Sequence, residues 1–367
     1  MPAPHVRTPA PSREREPGRS AQTPAAHVLL GLQRAAGNRA VTAFVQRQAI
    51  ETAPQLSAGQ ASAAVSFYTS APDLYPSDVI LKIQHAVGSP ETGVADPAMA
   101  QAVAAWQVPQ GLKPDGMAGP RTLPRMFESG LAAKTSRDAY VKSAEGVQSG
   151  WKDLKTAKAR ADELFKGVKE QLDAAQVLPT PGHDLKDLGK VAGVFVAKDW
   201  FMFFDDDAFS AADLDDDAAR SVAGTVYHEA RHAEQHHKMA RMLATKGNDP
   251  DQIVAKMGIP KDVAQNAFEN PLPKGSVEFA TASQQFDSVY GAGKAAHDKA
   301  EREAPSIDEI RAAKAAMDAN PTPENKARHA RLIKAFRAYR DLPTENDAFA
   351  TEASFEESWD EKHLSAQ

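Results

Sequence analysis

The sequence predicts a mainly α-helical protein of several modules, ending in an α+β domain with one small antiparallel sheet. Three observations predict it. Apolar residues recur at helical spacing, as in Ile80, Ile83 and Val87, or Tyr140, Val147, Trp151 and Leu154. Residues 191–204 (VAGVFVAKDWFMFF) are instead rich in Val and Phe, the composition of strands. Pro-rich breaks divide the chain, and its 367 residues suit two or three domains.

Hydrophobic residues make up 42% of the chain, enough for real cores, while 25 prolines and a mean hydropathy of −0.47 imply sizeable loose segments. A net charge of −6 argues against a nucleic-acid partner. With no cysteine, a disulfide scaffold, a cysteine-bound zinc and a cysteine nucleophile are all excluded. No stretch approaches the ~20 apolar residues of a membrane span. The first residues carry charge but no apolar core, so no Sec signal is expected.

Residues 1–25, rich in Pro, Arg and Ser, read as a disordered tail. Over 26–48, Leu29, Leu32 and Ala36, then Val41, Phe44 and Val45, flank Gly37-Asn38, which predicts two short amphipathic docking helices. Residues 49–77 read as a polar linker. Within 78–130, Ile80, Ile83, Gln84 and Val87 start a helix that Gly88 ends. Asp96 caps a second helix over 97–107, and a third opens near Gly119-Pro120. Residues 135–176 read as a helical connector. Leu178-Pro-Thr-Pro-Gly182 breaks the chain, and 177–367 form the last domain. Asp205, Asp206 and Asp207 read as a solvated acidic loop. Ser210, with Asp213 at the third position, reads as the N-cap of a long helix that runs to Ala244.

That helix carries His228-Glu229-Ala230-Arg231-His232, with Gln235 three residues on. Histidines four apart face the same way on a helix, which suits two imidazoles on one zinc ion. Glu229 beside them suits a general base that takes a proton from the attacking water. Gln235 shares the face and is expected to support a ligand or touch substrate. Arg231 points away and is expected to be structural. A catalytic zinc takes three protein ligands and keeps one open position. Candidates for the third are His236, His237, His297, Glu345, Asp347, Glu352 and His363. Residues i and i+8 on a helix lie about 12 Å apart, which disfavours His236. Glu345 follows the Leu342-Pro343 break, where a new helix would expose its carboxylate. Tyr290 and Tyr339-Arg340 are candidate oxyanion stabilisers.

Three segments resemble known families. Leu32, Gln33, Arg34, Ala36, Gly37, Asn38, Ala40 and Val41 resemble an N-terminal element of cargo-like proteins of bacterial extracellular contractile injection systems. The resemblance implies loading into the inner tube or lumen of such a particle. It also implies synthesis in a bacterial cytoplasm and export by the particle or another non-classical route. Gln84, Gly88, Thr92-Gly93, Asp96, Trp106-Gln107, Gly111, Asp115-Gly116, Gly119 and Thr122 resemble the three-helix peptidoglycan-binding domain, with Trp106 in its core and peptidoglycan as an implied partner. Residues 177–367 resemble the His-Glu-x-x-His-x-x-Gln zincin metallopeptidases. In such enzymes an antiparallel edge strand above the motif helix pairs with the peptide substrate. The segment from Glu345 to Ala348 is similar to their Glu-x-x-Ala helix. The resemblance therefore implies Glu345 as third ligand, with Asp347 and Glu352 as alternates. The function expected is zinc-dependent hydrolysis of a protein or peptide by a delivered effector. The alternatives are a structural zinc in a non-catalytic adaptor and a cell-wall endopeptidase or amidase.

Overall fold

A computed structural model describes residues 55–189 and 191–365. The tail and docking helices expected at 1–25 and 26–48 lie outside them.

The stretch read as a linker contains helix α1 (Ala58–Thr69). Ser57 caps it, and Gln60 returns a bond to the Ser57 backbone. Its Ala and Ser content, which suggested a linker, is compatible with a helix once Tyr68 finds a core. The Tyr68 hydroxyl donates to Gly116 O and accepts from Ala118 N, so α1 belongs to the module that follows. That module holds α2 (Ser77–Val87), α3 (Pro97–Gln107) and the short α4 (Leu123–Met126). Gly88 ends α2 in the left-handed region, and Asp96 caps α3 through Met99 N at 2.7 Å. Two buried glutamines hold the loops. Gln84 binds the backbone of Thr92, Gly93 and Val94, and Gln107 binds Gly116, Met117 and Thr122. Trp106, expected in the core, is only half-buried. The inward face of α3 is Met99, Ala100, Val103, Ala104 and Gln107, and Trp106 falls beside it.

Helices α5 (Lys134–Ser149) and α6 (Ala157–Ala174) occupy the expected connector. They do more than connect: Tyr140, Trp151, Leu164 and Phe165 pack into the main C-terminal core. The sheet follows as β1 (Gly182–Lys186), β2 (Gly193–Val196) and β3 (Phe201–Asp205), in the order β1-β3-β2. The β2–β3 pair is antiparallel as expected, but β1 joins β3 in parallel, so the sheet is mixed. The acidic run is not a loop: Asp205 ends β3 and Asp206 opens α7 (Asp206–Ser210). Ser210 therefore ends a helix rather than starting one, and its hydroxyl returns to Asp206 O. Asp215 is the cap of the long helix α8 (Asp216–Thr245), accepting from Ala218 N at 2.8 Å, with Asp216 and Asp217 in the positive first turn.

Helices α9 (Pro250–Met257), α10 (Lys261–Glu269) and α11 (Val277–Val289) pack around α8. Then α12 (Lys294–Glu303), α13 (Ile307–Ala319) and α14 (Pro323–Arg340) lead to α15 (Pro343–Ser365). The last helix lies along α8 and buries Phe355 and Trp359 against it. That pairing positions the site.

Candidate metal centre

The spacing of α8 sets His228 and His232 side by side, with ring centroids 4.9 Å apart. Pro343 starts α15, and Glu345 sits in its first turn, facing both rings. The His228 and His232 Nε2 atoms are 3.1 Å apart, and they lie 3.7 Å and 3.3 Å from the Glu345 carboxylate oxygens. These three residues form a possible metal site. Zinc bonds of 2.0–2.2 Å in tetrahedral array put ligand atoms roughly 3.4 Å apart, so the donor set fits the ion. Glu345 Oε2 is buried and without a hydrogen-bond partner, which also fits a donor turned toward a cation.

The electrostatics agree. Burial alone would pull the His228 imidazolium down, but the Glu345 and Glu352 carboxylates outweigh it and raise its pKa to about 10. His232 is raised the same way, against its burial, by Glu345. Burial would push the Glu345 carboxyl up, yet the two histidines hold it well below the usual range. The carboxylates of Glu345 and Glu352 thus favour positive charge beside the two rings.

Each histidine is held from behind. The His228 Nδ1 lies 3.0 Å from Glu352, and the His232 Nδ1 lies 3.0 Å from Gln235 Oε1. Gln235 in turn donates to Thr344 O and to Asp347. Such partners fix ring orientation and raise ligand basicity. Asp347, one of the alternates, is taken by Arg231 through two bonds of 3.0 and 3.1 Å. Arg231 is buried and structural, as its position on the helix implies, and it also binds Glu234 and Ser129 O. Glu352, the other alternate, supports His228 from the Nδ1 side. His236 binds the Tyr290 hydroxyl, His237 binds Asn266 and His297 pairs with Glu301. None of them joins the three-residue group. The side chain of His363 lies outside the described residues.

Glu229 is buried next to this group. Burial raises its carboxyl pKa; the two histidines oppose the rise and Glu345 adds to it. The Phe195 backbone N–H is directed at the Glu229 carboxylate. Strand β2 is an edge strand, and the bond from Asp205 N to Ala192 O sets its alternation. Val194 and Val196 therefore bond to β3, while Gly193 and Phe195 turn their backbone groups to the open edge. Gly193 makes the approach feasible, since a Cβ there would come within 2.9 Å of Glu229 Cγ and 2.8 Å of Thr225. That glycine inside a Val/Phe run was the available sequence signal for close packing on α8. Of the oxyanion candidates, Tyr290 is bonded to His236, and Tyr339 lies against Glu345, where burial and then that carboxylate push its pKa up.

A family model described as a putative peptidoglycan binding domain matches residues 81–126. The match runs from within α2 to the end of α4, so a peptidoglycan-binding domain is present in the chain. Comparison with curated proteins and with solved structures gave no match.

Proposed function

We propose that the protein is a zinc-dependent peptidase, with His228, His232 and Glu345 as metal ligands and Glu229 as general base and later proton donor to the leaving amine. The observation that carries this reading is the geometry of the donor set. Three ligand atoms converge, and a buried carboxylate outside the set stands beside them. A structural zinc closes its shell with four protein ligands. Among the described residues only three side chains converge here, and the nearby His236 and His237 are bonded elsewhere.

Bound zinc would supply Lewis acidity at the scissile carbonyl. The chain's own residues do the rest. Burial raises the Glu229 pKa toward the range where a carboxylate both accepts and returns a proton. Gln235 and Glu352 hold the imidazoles in the tautomer that offers Nε2. On the edge of β2 away from β3, the Gly193 backbone and the Phe195 carbonyl would be the groups for an extended peptide to pair with.

The peptidoglycan-binding domain at 81–126 favours one specific variant, cleavage of a peptide cross-link in the cell wall. Delivery by an injection particle rests on the resemblance of Leu32 to Val41 and on the order of the modules. The test is metal content and peptidase activity on wild type and Glu229→Gln, with casein and isolated sacculi as substrates. Zinc in both proteins with activity reduced about 10²- to 10⁴-fold in the variant is the expected result. Absence of zinc from wild type overturns the proposal, and so does equal activity in the two proteins.

A further inference from the structure

We propose that a second cavity, between the peptidoglycan-binding domain and helix α15, binds a small ligand bearing a carboxylate or phosphate. The cavity holds about 240 Å³ and is lined by Arg125, Glu128, Arg137, Arg340, Asp347 and Ser354 among others. Against roughly 30 Å³ per liquid water, this is ample for a phosphate or a small dicarboxylate.

Three arginines face two carboxylates here, and both carboxylates are already engaged. Arg231 holds Asp347 from the far side, and Glu128 pairs with Arg137 at 3.1 Å. Among the described residues, the partner of Arg125 is a backbone oxygen, Gln110 O at 2.5 Å. Its Nε is buried without a hydrogen-bond partner, and so is the Nε of Arg137. Arg137 itself is 8% exposed, and its remaining bonds go to Glu128 and Ala132 O. Arg340 has no carboxylate partner among the described residues; its guanidinium lies 4.5 Å over the Phe349 ring.

A guanidinium carries five N–H donors, and an oxyanion in this cavity would accept from the terminal nitrogens of Arg125 and Arg340, which line it. Burial lowers the Arg125 pKa; Asp347 opposes this, and Arg340 and Arg121 add to it. The planar fork of arginine suits carboxylate and phosphate alike. The hydroxyl of Ser354 and the amide of Gln110 line the same space and can complete the shell. None of these residues belongs to the metal group, so the inference stands whether or not the peptidase reading does.

The test is isothermal titration of the full-length protein with inorganic phosphate and, separately, with succinate. At least one probe should bind tighter than about 1 mM. Arg125→Gln should weaken it roughly tenfold, the loss of one charge-assisted contact. Arg340→Gln, on an exposed side chain, should weaken it about threefold, with circular dichroism checking that the variant folds. Preference for phosphate would identify a phosphorylated ligand, and preference for succinate a carboxylate. Binding of both probes weaker than 1 mM overturns the proposal. Wild-type affinity in both variants overturns it too.

Discussion

Removing the Glu352 carboxylate tests whether the contacts behind the histidines set metal affinity. Glu352 meets the His228 Nδ1 at 3.0 Å, and its side chain is 22% exposed, so solvent screens the pair only in part. A hydrogen bond to a charged group contributes about 1.5–3 kcal/mol. At 1.4 kcal/mol per factor of ten, Glu352→Ala should weaken zinc binding roughly 10- to 100-fold. Glu352→Gln keeps an acceptor but loses the charge, and should cost about fivefold. Glu357→Ala, exposed on the same helix, is the control and should bind as wild type does. Competition with a chromophoric chelator near neutral pH reads the affinity, and far-ultraviolet circular dichroism checks that each variant folds. Zinc affinity in folded Glu352→Ala within twofold of wild type would refute the reasoning. The contact would then be incidental, and ring orientation would come from packing against Phe349.

Asp347→Asn leaves buried Arg231 short of its main counter-charge and should destabilise the protein by about 3–5 kcal/mol, read by denaturant titration. Gly130 has φ +60°, and a methyl there would collide with the Glu234 carboxylate, so Gly130→Ala should cost at least about 2 kcal/mol in the same assay. The pH dependence has a defined sign at His237. Burial, then the Arg241 charge, lower its pKa from 6.5 to about 4. The unfolded chain thus binds the extra proton between those values, and stability is lost as pH falls from 6.5 toward 4, at up to about 1.4 kcal/mol per unit. His237→Gln should flatten that slope; an unchanged slope would place the titrating group elsewhere.

How much of this was legible in the sequence depended on range. Helix spacing alone sets His228 beside His232, and the Leu342-Pro343 break alone opens α15 at Glu345. That α15 lies against α8 at the right height follows from Phe355 and Trp359 packing, which no local pattern reveals. Asp347 and Glu352 looked like rivals of Glu345 because composition cannot tell a carboxylate that faces both rings from an acid behind them. On α15, Glu352 lies seven residues, two turns, beyond Glu345, so it faces the same way but reaches the opposite nitrogen of His228. The boundary errors have a common cause. Ser210 and Asp215 both fit a cap, and the choice fell to the β3–α7 junction, a tertiary feature. Helix α1 was missed for the same reason, since its stability lies in the buried Tyr68 contacts.

The two sides of α8 explain how protein contacts position the rings of His228 and His232. One side presents His228, His232 and Gln235 to α15. The other presents Arg231, Glu234 and Lys238 to the turn at Ser129–Leu131, just after the peptidoglycan-binding domain. Glu234 accepts from Leu131 N and pairs with Arg231 and Lys238. Its burial would raise its pKa, but those two cations hold it down at about 2. Arg231 then joins this side to α15 through Asp347, which also receives the Gln235 amide. A continuous chain of charged contacts thus runs from the turn at 129–131, through α8, to the helix that bears Glu345. Breaking one member leaves a buried charge unpaired, so the arrangement is held at several points at once. The rings of His228 and His232 are thus held by protein contacts from behind. If this possible site takes a metal, side chains fixed in this way would lose little entropy on binding it.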